Sequence, residues 1–105
     1  MYNVYYQKAS DRLDFFSERK ITIDEIEETH VKVAAIPSSF SVRTLDDVYA
    51  VMNGARTQPN PLATENGQVV LKSKGVKHTS MSINDVIHID DKWFQCASLG
   101  WNELA

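Results

Sequence analysis

The run His78-Thr79-Ser80-Met81-Ser82 sets a histidine and three hydroxyls together, directly after the basic residues Lys72, Lys74 and Lys77. Hydroxyls and an imidazole beside ammonium groups can hydrogen-bond a phosphate or the backbone of a partner. The competing reading is local: Thr79, Ser80 and Ser82 can satisfy backbone amides in a turn that leads into a strand. Such side-chain turns are common, and the local reading is preferred. A serine-hydrolase reading fails, because no serine is flanked by glycines in a nucleophile elbow and no matching base accompanies one.

The other chemistry-bearing residues are scattered. His30, His78 and His88 have no short motif spacing, so metal binding would need the fold to converge them with a carboxylate. His30 and His88 read more simply as strand residues with part-exposed rings. Cys96 lies between Gln95 and Ala97 with no adjacent base, and reads as a small buried apolar residue rather than a nucleophile. The carboxylates Asp24, Glu25, Glu27 and Glu28 lack a buried partner that would shift a pKa, and read as a solvated acidic edge. Of the two tryptophans, Trp93 and Trp101, one is expected in the core and the other, assigned here to Trp101, at a partner surface.

These residues need elements to position them. Tyr2 to Gln7 alternates aromatic and β-branched residues and reads as a strand, with Tyr2, Val4 and Tyr6 on one face and Tyr5 on the other. Lys8 to Lys20 reads as an irregular loop, with Leu13, Phe15 and Phe16 turned inward. Thr22 to Glu25 has the capping-box spacing and opens a helix of one or two turns. His30 to Ile36 reads as a strand stopped by Pro37. Thr44 to Asn53 is the clearest helix: Leu45, Val48, Tyr49 and Met52 form one stripe, Thr44 caps it and Gly54 ends it. Ala55 to Gln68 reads as a long surface loop of the kind that carries function. Val69 to Lys74 fits either a strand or a helical turn. Val86 to Ile89 and Lys92 to Ala97 read as a hairpin turning at Asp90–Asp91, and Leu99 to Leu104 as a final strand bent at Gly100. Alternation puts Cys96 with Phe94 and opposite Trp93.

Length and composition bound the function classes. The chain has 105 residues, of which 43% are apolar, enough for one domain with a core. One cysteine excludes an internal disulfide and any zinc site built on cysteine pairs. The N-terminus lacks the pattern of a signal peptide, and no apolar run approaches the roughly 20 residues that cross a bilayer. A cytoplasmic protein without membrane contact is therefore expected. Net charge is −3 but uneven: residues 10–28 carry −4, residues 56–78 carry +3, and residues 79–105 carry −3. A dominant basic face, the usual sign of a nucleic-acid binder, is missing; only the 72–77 patch remains.

The segment HTSMSINDVIHIDDKWFQCASLGWNEL, His78 to Leu104, resembles the YodL-like group of small proteins of phages, plasmids and integrative elements. Members of that group carry a segment of the form HTSMSxGDVI, then a hairpin, an aromatic return strand and a terminal glycine–aromatic pair. Here His78 to Ser82, Asp85 to Ile87, Trp93–Phe94 and Gly100–Trp101 match it, and the helix Leu45 to Asn53 is similar to one such proteins carry upstream. Asn84 stands where the pattern has glycine. Asparagine best tolerates positive φ among the other residues, so a left-handed backbone is expected there. The resemblance implies a mobile-element origin and supplies no mechanism.

Together these readings predict one α+β domain over residues 1–105. It would be a small, mostly antiparallel sheet with one principal helix packed on it and a C-terminal β-hairpin. The function expected is that of a non-enzymic accessory protein binding a host protein in the host cytoplasm, as an inhibitor of a defence or regulatory system. The alternative is a nucleic-acid or nucleotide binding module. Candidate binding residues are Lys72, Lys74, Lys77, His78, Thr79, Ser80, Ser82 and Trp101. No cofactor is implied, and the protein would be a monomer or a homodimer, the latter by edge pairing of Val69 to Leu71 or of the tail strand.

Overall fold

The computed structural model describes residues 1–9, 18–54 and 60–104. The expected inward cluster Leu13, Phe15 and Phe16 lies outside the described residues. Tyr2–Gln7 forms strand β1, whose aromatic and β-branched side chains alternate between the two faces of a sheet. Four more strands join it: β2 (His30–Ile36), β3 (Val86–Ile89), β4 (Lys92–Ala97) and β5 (Gly100–Leu104). The sheet is antiparallel at every pairing, in the order β2-β1-β3-β4-β5. Its register sets Tyr5 opposite Val86, Val86 opposite Gln95 and Cys96 opposite Trp101. The β1–β2 pairing slips between Val4 and Tyr5.

The turns follow from their residues. Asp90 and Asp91 have φ of +52° and +61°, the double left-handed backbone that a two-residue hairpin turn requires and that aspartate tolerates. Gly100, at φ +91°, enters β5 in a conformation that L side chains rarely adopt.

Three short helices accompany the sheet: α1 (Ile23–Thr29) and α2 (Leu45–Met52), where a short helix and the principal helix were expected, and α3 (Glu65–Ser73), which was not. The Glu25 carboxylate accepts from the Thr22 N–H at 3.0 Å, closing the start of α1. At α2 the Thr44 hydroxyl accepts from the Asp47 N–H at 3.1 Å, and the Asp47 carboxylate accepts in turn from the Thr44 N–H, also at 3.1 Å. The buried stripe of α2 is Val48, Val51 and Met52; Tyr49, expected within it, is exposed. Helix α3 occupies residues read as loop or as an ambiguous segment. The Thr64 hydroxyl caps it by accepting from the Gly67 N–H, and a 3₁₀ turn at Pro61–Ala63 leads in. Because Val69 to Leu71 are helical, they form no strand edge for a dimer.

The sheet buries both faces. On one, Tyr2, Val4, Tyr6, Ile87 and Cys96 pack with Val48 and Met52 of α2, with Leu62 and with Leu71 of α3. On the other, Val86 packs with Ile21 and with Ile26 of α1, flanked by Tyr5, Trp93 and Leu104. Among the described residues, no helix is long and apolar enough to cross a membrane.

Candidate functional site

The turn between Met81 and β3 is tied together by buried polar groups. Its 3.0 Å bond runs from the Asp85 N–H to the Ser82 carbonyl. Asn84 sits at φ +77°, the left-handed backbone that a type II turn places at its third residue. Asp85 is wholly buried, where an ionised carboxylate is costly unless several donors satisfy it. Its Oδ1 accepts from the Gln7 N–H at 2.9 Å; its Oδ2 accepts from the Ser82 N–H and from His78 Nε2, each at 2.9 Å, and from the Ser82 hydroxyl at 3.3 Å.

Asn84 serves the neighbouring elements in the same way. Its Oδ1 accepts from the Arg19 N–H at 3.0 Å and from Gln95 Nε2 at 2.8 Å. Its N–H donates to the Cys96 carbonyl, and its own carbonyl accepts from His30 Nε2, both at 2.8 Å. With its amide oxygen turned to the Arg19 guanidinium, Gln7 accepts at 2.8 Å from Nη2. Gln7, His30, Asn84, Asp85 and Gln95, drawn from β1, β2, the turn and β4, are thus buried as one polar knot.

His30 was expected to be part-exposed and is instead 3% exposed, held between the Thr29 hydroxyl and the Asn84 carbonyl. Burial pulls its pKa below the usual histidine value, outweighing the opposite pull of the Asn84 carbonyl and the Asp85 charge. His88 is half-buried and stacks on Trp93 at 4.0 Å. His78 stacks on Tyr6 at 4.5 Å, and its buried Nδ1 has no hydrogen-bond partner among the described residues. His78 therefore meets a carboxylate, as an acid–base role would require, but neither His78 nor His88 lines either of the two clefts described below. Among the described residues, no group of three or more His, Cys, Asp or Glu side chains could hold a metal ion.

The structure divides the sequence-derived candidates. His78 and Ser82 turn inward to Asp85. The Thr79 carbonyl accepts from the Tyr6 hydroxyl and from Asn60 Nδ2, and its hydroxyl accepts from Gln68 Nε2. Ser80 is exposed. Lys72, Lys77 and Thr79 line one cleft of about 300 Å³ beside α3, whereas the Lys74 ammonium donates to the Lys32 carbonyl on β2. Trp101 lines a different cleft.

That second cleft, of about 320 Å³, lies between α2 and the β4–β5 turn and is walled by Asp46, Tyr49, Ile83, Ala97, Ser98 and Trp101. The expectation of one core tryptophan does not hold, since both Trp93 and Trp101 are half-buried. The rings of Tyr49 and Trp101 meet at 83° with centroids 6.4 Å apart, and Trp101 Nε1 donates to Asp46 Oδ1 at 2.9 Å. Glu18 secures the turn from outside, accepting from the Ser98 N–H at 3.1 Å and from Asn102 Nδ2 at 3.4 Å. At the tip, Leu99 is 96% exposed. Cys96 also borders this cleft, but burial pushes its thiol up to about 12, so it stays protonated and unreactive at neutral pH. Sequence reading flagged Trp101 alone here. Leu99, read as the start of the final strand, lies instead in the turn between β4 and β5, and a leucine between Ser98 and Gly100 is the one sequence feature there that could have pointed to the rest.

Comparison with family models, with curated proteins and with solved structures returned no match. Nothing in these comparisons points positively to an enzymic activity.

Proposed function

We propose that the protein is a small binding module that docks on another protein through the α2–β5 cleft. The observation that carries this reading is Leu99, 96% exposed at the tip of a turn that Glu18 holds in place and whose flanking residues Ser98 and Gly100 line the cleft with Tyr49 and Trp101. An apolar side chain held in water gains nothing for the fold, and aromatic side chains in an open cleft are the kind of group that dominates binding energy at protein interfaces. The resemblance of His78 to Leu104 to YodL-like proteins supports a mobile-element setting, in which the partner is a host defence or regulatory complex and the effect is inhibition by occupancy.

A photo-reactive residue placed at position 99 tests the reading in lysate of the cell that makes the protein. A protein adduct is expected, and it should be lost on Tyr49→Ala. Equal adduct formation from position 28, on the α1 side of the sheet, or adducts with nucleic acid alone, would overturn it.

A second reading draws on the cleft beside α3, where Lys72 and Lys77 sit with Thr79 and would offer two ammonium groups and a hydroxyl to a phosphate. Binding of this kind weakens steeply with salt. It requires that changing Lys72, Lys74 and Lys77 together to glutamate abolish binding to nucleic acid or nucleotide.

A further inference from the structure

The chemistry of the α2–β5 cleft is more specific than an apolar surface. Asp46 is the sole charged residue among those lining it, and among the described residues no lysine, arginine or histidine is ion-paired with it. Its Oδ1 is fixed by the Trp101 indole, so the carboxylate has a set direction while Oδ2 makes no hydrogen bond among the described residues. Tyr49 and Trp101 add two π-systems at near right angles to each other.

We infer that this cleft receives a cationic side chain, lysine or arginine, from the protein partner, seated against the Tyr49 and Trp101 rings and paired with the Asp46 carboxylate. The inference rests on the docking reading above and gives it a ligand chemistry. Three classes of occupant can be compared. An apolar group would cover Asp46 and strip its water without replacing it, which is costly for a carboxylate. An acidic group or a phosphate would meet like charge. A cation leaves no charge uncompensated and gains attraction from the negative faces of both rings. The start of α2 opposes a cation, because the helix dipole leaves roughly half a positive charge there. Asp46, in that first turn, offsets it with a full negative charge that faces the cleft. A planar guanidinium suits an aromatic face and a carboxylate at once, and an ammonium satisfies the same two partners as a point charge.

Trp93→Phe leaves Trp101 as the sole tryptophan, so its fluorescence reports the cleft directly. The probes are a short alanine–glycine peptide with a central arginine, and its lysine, norleucine and glutamate counterparts. Arginine and lysine peptides should shift the emission and saturate, with binding that weakens as salt rises. Asp46→Asn, which keeps an acceptor for the indole, should weaken that binding by about tenfold or more, the scale of a desolvated cation–π contact with its ion pair. Asp46→Glu should retain part of it. If the norleucine peptide binds as well as the arginine peptide and Asp46→Asn changes nothing, the cation inference is wrong while docking at the cleft stands. No response to any peptide also overturns the cation inference, and the position-99 adduct then decides docking separately. A response to an oligothymidine strand but not to the cationic peptides overturns both.

Discussion

The turn at Asn84–Asp85 and the cleft between α2 and β5 hold similar stocks of polar and aromatic side chains and use them in opposite ways. Among the described residues of the turn, Asp85 takes four donors and Asn84 makes at least four bonds, so nearly every group is consumed inside the fold. His78 Nδ1 is the exception. In the cleft, Asp46 makes one bond among the described residues, two rings stay half-open and Leu99 faces water. A conspicuous sequence run can thus serve architecture, while function falls to residues with no motif. Satisfied polar groups are unavailable to a partner; unsatisfied ones next to apolar surface are what a partner can use.

If that contrast is right, the turn should govern stability and leave binding alone. The largest effect is expected for Asp85→Ala, which strands the Gln7 and Ser82 amides and the His78 imidazole in the interior. Removing one partner of a buried charged network costs about 3–5 kcal/mol, read by urea denaturation. A loss under about 1 kcal/mol, the scale of an ordinary surface hydrogen bond, would remove the turn from its architectural role. Next comes Asn84, where two substitutions separate backbone from side chain. Both variants lose the side-chain amide, but glycine suits φ +77° whereas alanine keeps a Cβ there without the tolerance of asparagine, so Asn84→Ala should cost about 1–2 kcal/mol more than Asn84→Gly. Equal losses would mean that the left-handed backbone contributes nothing.

The turn also sets a pH dependence through His30. Its folded pKa is depressed by burial, so below the unfolded value of 6.5 the unfolded chain binds more protons than the folded one. Stability from this group is therefore intact above that pH and declines as pH falls below it, levelling off beneath the folded pKa. The His30 ring resonances should titrate with a midpoint below 6.5, and a midpoint above it would contradict the buried, neutral assignment. The smallest stability effect belongs to the cleft. Leu99→Ser should change folding free energy by no more than about 0.5 kcal/mol, as for other exposed positions, yet remove partner binding. A large stability loss there would make Leu99 part of the fold instead of the docking surface.

Legibility followed the same divide. β1, β2 and β4 keep the expected bounds, because period-2 alternation and turn residues act locally. The left-handed Asn84 was also foreseeable, from the tolerance of asparagine for positive φ. Helix α3 was not. Asn66, Gly67 and Gln68 read as loop residues, but a Cβ at Gly67 would lie 2.6 Å from the Leu62 Cα, so glycine is there to let α3 approach the preceding turn. That need arises from tertiary contact and leaves no periodic trace. His30 looked like a strand-face residue for a similar reason: its partner, the Asn84 carbonyl, lies 54 residues away. In the cleft, Asp46 carried no reading of its own and Tyr49 read as part of a buried stripe. Only packing against β5 shows that they face Trp101.

Hydrogen–deuterium exchange on the complex with the captured partner tests the central contrast most directly. Added protection is expected over α2 and over β4–β5, from Asp46 to Met52 and from Cys96 to Leu104, with the amides of Gln68 to Ser80 exchanging as in the free protein. Protection concentrated at Gln68 to Ser80, with α2 and β5 unchanged, would contradict it and assign binding to the lysine-lined cleft.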